Sequence, residues 1–200
     1  MLYDRDIREP LFEFLEERYG KLRIIEEKQM GKSRADAVMV LPDAVFGIEI
    51  KSDADTYTRL KRQVRDYDQY FDANYVVVGV SHAMHIEEHV PAWWGIITAE
   101  PDHDRVDFYI LRKASSNPEM IPEKKLGLLW RPELAHILEQ NRMPEYRQKS
   151  KVFVIGKILE HVPEDSLRKQ ICQELFERDY QMIGDTIKQY KRKHRKKYRG

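Results

Sequence analysis

Apolar residues recur at helical spacing in the first stretch of the chain, at Ile7, Leu11, Phe14 and Leu15, and the run stops at Tyr19-Gly20, where glycine suits the left-handed position that ends helices. The pattern predicts an N-terminal amphipathic helix. Pro10 lies inside it, so either the regular helix starts near Glu9 with proline in its first turn, or the segment bends there. Three strand-like segments follow, Leu22 to Glu27, Arg34 to Leu41 and Ala44 to Lys51, joined by short polar or proline-containing connections as in a meander. The run AVFGIEI, residues 44–50, is apolar on both faces apart from Glu49, the pattern of a central strand covered on each side by helices. Helix signals resume after Thr56 or Thr58, either of which suits a cap, with Leu60, Val64, Tyr67 and Phe71 as an apolar stripe. Tyr75 to Val80 then reads as a buried strand, which gives a strand, helix, strand unit short enough for a right-handed crossover.

Farther on, Gly95 to Thr98 and Val106 to Leu111 read as two more strands, split by the turn-like run Glu100-Pro101-Asp102-His103-Asp104. Residues 114–124 read as loop. From Arg131 the pattern is helical throughout: Leu134, Ile137 and Leu138, then Val152, Ile155, Ile158 and Leu159, then Leu167, Ile171, Leu175 and Phe176. These helices form either a lid on the sheet or a small helical subdomain. The expected class is α/β, a central mixed β-sheet flanked by α-helices, with a helical C-terminal extension. Residues 1–130 make the core, 131–187 the extension packed on it and 188–200 a basic tail, with no flexible linker to mark a firm boundary.

Composition sharpens this in two places. The 200 residues are 42% hydrophobic, enough for one core, and the single cysteine, Cys172, cannot form an internal disulfide framework, which points to a reducing, cytoplasmic setting. The start MLYDRDIREP has no apolar segment behind a basic one, and no run approaches the roughly 20 apolar residues of a membrane span, so neither a cleaved signal nor a membrane segment is expected. The formal net charge of +1 hides a polarity: residues 188–200 hold eight Lys/Arg and no acid, which leaves the rest of the chain at −7. Such a tail is either a solvated end or, through residues such as Lys191, Arg192 and Lys193, a nucleic-acid contact that releases counterions.

The chemistry lies in the hairpin. If Arg34 to Leu41 and Ala44 to Lys51 pair across a two-residue Pro42-Asp43 turn, Asp36 falls opposite Glu49, and strand alternation puts Lys51 on the face of Glu49. Two carboxylates and an ammonium then share one patch. Phosphodiester hydrolysis needs a metal to stabilise charge on the phosphate and help generate hydroxide, and Mg2+ prefers oxygen ligands while keeping several waters. Asp36, Glu49 and the Ile50 carbonyl are the candidate ligands, and Lys51 would position water and offset negative charge in the transition state. The plain alternative is a hairpin bearing a surface Asp and a Glu-Lys pair.

Asp36, followed after a short hairpin by Glu49-Ile50-Lys51, resembles the D…(D/E)xK signature of the PD-(D/E)XK nuclease superfamily, and the expected order of helix, hairpin, helix and strand resembles that superfamily's restriction-endonuclease-like core. Gln63 and Tyr67 are similar to the QxxxY element of its RecB-like exonuclease branch. The run RADAV…EIKSDADTYTRLKRQVRDYDQYFDANYVVV, with PAWWGI and LLWRPEL, also resembles a family of largely uncharacterised bacterial and phage proteins, and the likeness covers most of residues 3–140. It implies that Gln63 and Tyr67 orient Lys51 or bind a phosphate, and that a further acid upstream completes the metal site, Glu26 first and Glu13 second. One residue departs: Ala35 stands where the pattern has proline.

Weaker signals each carry a plain reading. Asp53 and Asp55 either reach a second metal or organise the turn into the helix. His82, His85 and His89, with Glu88, are spaced for Zn2+ or merely sit on a helix surface. Trp93-Trp94 either stack on bases or pack in the core. Arg59, Lys61, Arg62 and Arg65 either touch phosphates or form a solvated face. The whole predicts a Mg2+-dependent deoxyribonuclease, with Mn2+ able to substitute. Its alternatives are a catalytically silent nucleic-acid-binding module, or an accessory factor that docks a protein partner through the helices of Arg131 to Tyr190.

Overall fold

A computed structural model describes residues 2–178. Helix α1 (Asp4–Tyr19) ends at Gly20, whose φ of 72° no other residue adopts cheaply. It begins ahead of Pro10 and runs through it, so proline falls inside the helix and forfeits one backbone bond instead of opening the first turn. Strands β1 (Arg23–Met30), β2 (Ser33–Val40) and β3 (Val45–Lys51) form the meander. The strand β1 is longer than its apolar run suggests, because Met30 pairs with Ser33 across a two-residue Gly31-Lys32 turn and is itself buried.

The β2–β3 register follows the turn: Val40 pairs with Val45 and Ala37 with Ile48. The ladder stops there. Asp36 and Glu49 stand at the next level, where the Asp36 carboxylate takes up the Ile50 amide at 2.9 Å.

A 3-10 turn (Tyr57–Arg59) leads into α2 (Leu60–Tyr70). Neither Thr56 nor Thr58 caps through its hydroxyl; the two hydroxyls lie 3.1 Å apart and bond each other, and the 3-10 turn precedes the regular helix. The α2 crossover makes β4 (Ala73–Gly79) parallel to β3. After the short helix α3 (Val80–Ala83), β5 (Gly95–Asp102) lies parallel to β4, and β6 (Arg105–Arg112) returns antiparallel. The expected turn at Glu100–Asp104 is corrected to His103-Asp104 alone. Strand β5 continues past Pro101 because its ladder with β4 ends at Ala99, where proline's missing N–H costs nothing. The sheet is open and mixed, in the order β1-β2-β3-β4-β5-β6.

Helices cover both faces. Residues Ile7, Leu11 and Leu15 of α1 pack on one face with Met39, Ile48 and Val77. On the other, α2 is joined by α4 (Pro122–Gly127), α5 (Arg131–Gln140), α6 (Lys151–His161) and α7 (Glu164–Glu177) in a single apolar cluster with the sheet, so the C-terminal helices act as a lid. The end of α7 is fixed by Arg178, which is buried, donates to both oxygens of Glu133 (2.6 and 2.7 Å) and to the Leu128 carbonyl, and lies over the Trp130 ring. No helix among the described residues is long and apolar enough to cross a membrane.

Gly47 sets how close α2 comes to β3. A Cβ there would lie 2.4 Å from the Phe71 ring and 2.5 Å from the Tyr67 ring. Gly47→Ala is expected to destabilise the fold by about 1–3 kcal/mol through overpacking, read as a lower urea midpoint at unchanged slope. Glu133→Ala, which removes a two-oxygen carboxylate acceptor from the buried Arg178 guanidinium, is expected to cost up to about 3–5 kcal/mol in the same assay.

Candidate active site

Because β3 alternates, Gly47, Glu49 and Lys51 share the face that meets α2. The glycine admits the Tyr67 ring, and Tyr67 and Gln63, one turn apart on α2, then reach Glu49. Glu49 Oε1 receives the Lys51 ammonium at 2.5 Å and the Gln63 amide; Oε2 receives the Tyr67 hydroxyl at 2.7 Å. Lys51 also donates to Gln63 Oε1 at 3.2 Å. Tyr67 Oη in turn accepts the Asp36 amide at 3.2 Å, which links β2 to the same network. Glu49 is fully buried and Lys51 is 5% exposed, so the four side chains form a preorganised unit rather than a surface pair. Burial, then the charges of Glu49 and Asp36, push the Tyr67 phenol well above its ordinary value, so it stays a donor.

Asp36 has a different environment. Burial first, then the neighbouring Glu49 charge, raise its carboxyl from the ordinary 3.8 to about 7, against the opposing pull of the Ile50 amide, Lys51 and Arg8. The guanidinium of Arg8, on α1, donates to the Asp36 carbonyl at 3.1 Å and lies 3.7 Å from its carboxylate. It also meets Asp4 (2.7 Å), Glu27 (3.2 Å) and Glu26 (3.5 Å). Glu27 has a φ of 54°, and the rung it would make opposite Asp36 is missing from the β1–β2 ladder.

These side chains line a groove of about 390 Å3 outside the carboxyl end of β3, where open α/β sheets commonly bind ligands. Its walls also carry Lys32, Ser33 and Arg34 from the β1–β2 hairpin, Asp4 and Arg8 from α1, and Asp55, Arg59 and Arg62 from the segment entering and forming α2.

Of the sequence-derived residues, Asp36, Glu49, Ile50, Lys51, Gln63, Arg59 and Arg62 come together here, and Tyr67 supports them from beneath. Glu26 lies outside the groove lining with its carboxylate toward Arg8, and Glu13 lines a separate cavity between α1 and β6. Arg65 is exposed on α2 beyond the groove. Lys191, Arg192 and Lys193 lie outside the described residues. Asp55 ties the turn through the Ser52 amide and hydroxyl, and Asp53 holds the Leu2 amide and the Ser81 hydroxyl. Trp94 is core, and both tryptophans donate to Asp68 Oδ1. His82 and His89 pack against the Tyr57 ring, and His85 lies 3.7 Å from Glu88.

Asp4, Arg8, Lys32 and Arg34 were missed. The only local signal was the helical Asp4–Arg8 spacing, since nothing in the sequence brings the start of α1 to the end of β3. That juxtaposition depends on Leu2 and Asp53, which exchange backbone and side-chain hydrogen bonds at 2.9 and 3.2 Å.

The donor set suits a hard cation. A carboxylate offers about four lone-pair positions. Three protein donors engage Glu49, which leaves room for one more ligand bond, and Asp36 is less fully engaged. Among the described residues no three His, Cys, Asp or Glu side chains are disposed to hold a metal together. Ligation by this chain would therefore rest on two carboxylates and a main-chain carbonyl, with water completing the shell, a pattern usual for Mg2+.

Comparison with known proteins gives three findings. No curated protein sequence matches the chain. Among solved structures, SfsA of Pyrococcus furiosus in complex with Ca2+ is similar with a TM-score of 0.32 and 12% identity, over 52% of this chain and 59% of SfsA, so the chain spans less than two thirds of that protein's length. The family model described as Bacteriophage P4 protein cII matches residues 2–198. With a match over nearly its whole length, the chain belongs to the bacteriophage P4 protein cII family.

Proposed function

We propose that this protein is a metal-dependent nuclease of the PD-(D/E)XK kind that hydrolyses phosphodiester bonds of DNA. The observation that carries the reading is the buried Glu49–Lys51–Gln63–Tyr67 network with Asp36 at its edge, opening on a groove rich in cations. An acid and a lysine buried together in an apolar strand cost stability unless fully paired, and two hydrophobic residues would serve the core as well.

Asp36, Glu49 and the Ile50 carbonyl would hold Mg2+ or Mn2+. When bound, the ion supplies Lewis-acid stabilisation of phosphate charge and acidifies water. Lys51, held by Glu49 and Gln63, faces the groove as a fixed ammonium that orients the attacking water and offsets charge on the non-bridging phosphate oxygens as the P–O bond to the leaving strand breaks. Tyr67 and Gln63 keep Glu49 from turning toward Lys51 alone. The absence, among the described residues, of a three-acid cluster favours a second reading, a nucleic-acid-binding module that keeps this core without cleavage.

Incubation with linear, circular and single-stranded DNA in Mg2+ or Mn2+ separates the two. Cleavage is expected from the parent, and Glu49→Ala and Lys51→Ala should each lower it about 10²-fold or more while retaining cooperative thermal unfolding. A parent inert on all three substrates, and not stabilised by either metal, would select the binding module.

The pH dependence has a defined sign. With its folded value near 7 and its ordinary value at 3.8, Asp36 favours the fold in acid and loses that contribution as pH rises from about 4 to 7. A cation must displace the same proton, so the rise in melting temperature with Mg2+ should be small at pH 6 and grow toward pH 8. Asp36→Asn should abolish that growth; an equal Mg2+ effect at both pH values would remove Asp36 from the metal site.

A further inference from the structure

Three groove cations have no ion-pair partner among the described residues: Lys32 at the tip of the β1–β2 hairpin, and Arg59 and Arg62 at the start of α2. The others are engaged, Arg34 with Glu27 at 2.6 Å, Arg8 with its acids and Lys51 with Glu49. The hairpin tip is itself fixed. The Ser33 hydroxyl donates to Asp66 on α2, and Gly31, with φ of 54°, lies beside Tyr70, whose hydroxyl would be in ordinary contact with an added Cβ at 3.4 Å. Unpaired cations from two separate segments therefore line the groove that holds the buried Glu49 and Lys51.

We propose that this groove takes a single nucleic-acid strand by its phosphates, held by Lys32 of the hairpin tip and by Arg59 and Arg62 of the segment entering and forming α2, without regard to base sequence. The assignment rests on the nuclease reading for the role of Glu49 and Lys51, but its binding step stands apart from cleavage. Three features select this ligand. Unpaired cations around a groove suit a polyanion, whose counterions they release. Glu49 and Lys51 are 0% and 5% exposed, so a phosphate has to descend into a cleft of only about 390 Å3, which a strand already free of its complement does without the cost of unpairing. The neutral polar side chains among the described groove residues, Ser33 and Gln63, are already bonded to Asp66 and to Lys51 and Glu49, so they are oriented by the protein rather than toward base edges.

The test is fluorescence anisotropy of the full-length protein in EDTA with short labelled oligo-dT, a mixed-sequence strand and the corresponding duplex, over a salt series. Equal affinity for the two single strands and weaker binding of the duplex are expected. Lys32→Ala and Arg62→Ala should each weaken both single strands severalfold and make the slope of log K against log salt shallower by about 0.7, the loss of one phosphate contact. The basic residues 188–200 are common to every variant and cancel in the comparison. Unchanged slopes, a clear preference for one sequence, or tighter binding of duplex would each overturn the proposal. Altered slopes without cleavage by any variant would sink the nuclease reading and spare this one; cleavage with unaltered slopes would do the reverse.

Discussion

The buried charge of Glu49 is the constraint to which the centre of this fold answers. A fully buried carboxylate in an apolar strand is tolerated only when its oxygens are paired. The partners come from places that have to be arranged together. Lys51 arrives through strand alternation, Gln63 and Tyr67 through one turn of α2, and the depth of α2 through the missing side chain at Gly47. The α2 crossover that makes β3 and β4 parallel therefore also delivers two hydrogen-bond donors to the carboxyl end of β3. Architecture and site are one arrangement here, because the same helix covers the sheet and satisfies its charge.

Asp36 complements this. Glu49 is paired within the protein, whereas Asp36 is buried beside it with one backbone amide and the Arg8 guanidinium at 3.7 Å, and its proton is correspondingly hard to remove. Two acids on adjacent strands thus have unlike surroundings, and both line the groove.

Much of this was legible along the chain because two local rules govern it. A two-residue turn at Pro42-Asp43 fixes the hairpin register, and a strand period of two fixes which side chains share a face, so the placement of Asp36, Glu49 and Lys51 followed from counting. The α2 stripe followed from helical period in the same way, with Leu60 and Tyr67 buried as expected. What escaped depends on packing between distant segments. Arg8 reaches Asp36 only because α1 crosses the far face of the sheet, and Lys32 joins the groove only because the hairpin tip leans on α2 through Ser33 and Gly31. Pro101 misled because proline marks a turn in general, and its tolerance here comes from where the β4 ladder happens to end.

Helix α1 belongs to both halves of this account. Among the described helices it is the one whose side chains fill the second apolar cluster, and its first turns carry the guanidinium that steadies Asp36, with Pro10 removing a backbone bond between the two. Local opening of that single helix would uncover the sheet and withdraw Arg8 in one event. An opening of this one sixteen-residue segment would therefore disturb the groove without global unfolding, and hydrogen exchange along α1 is the quantity that would track it.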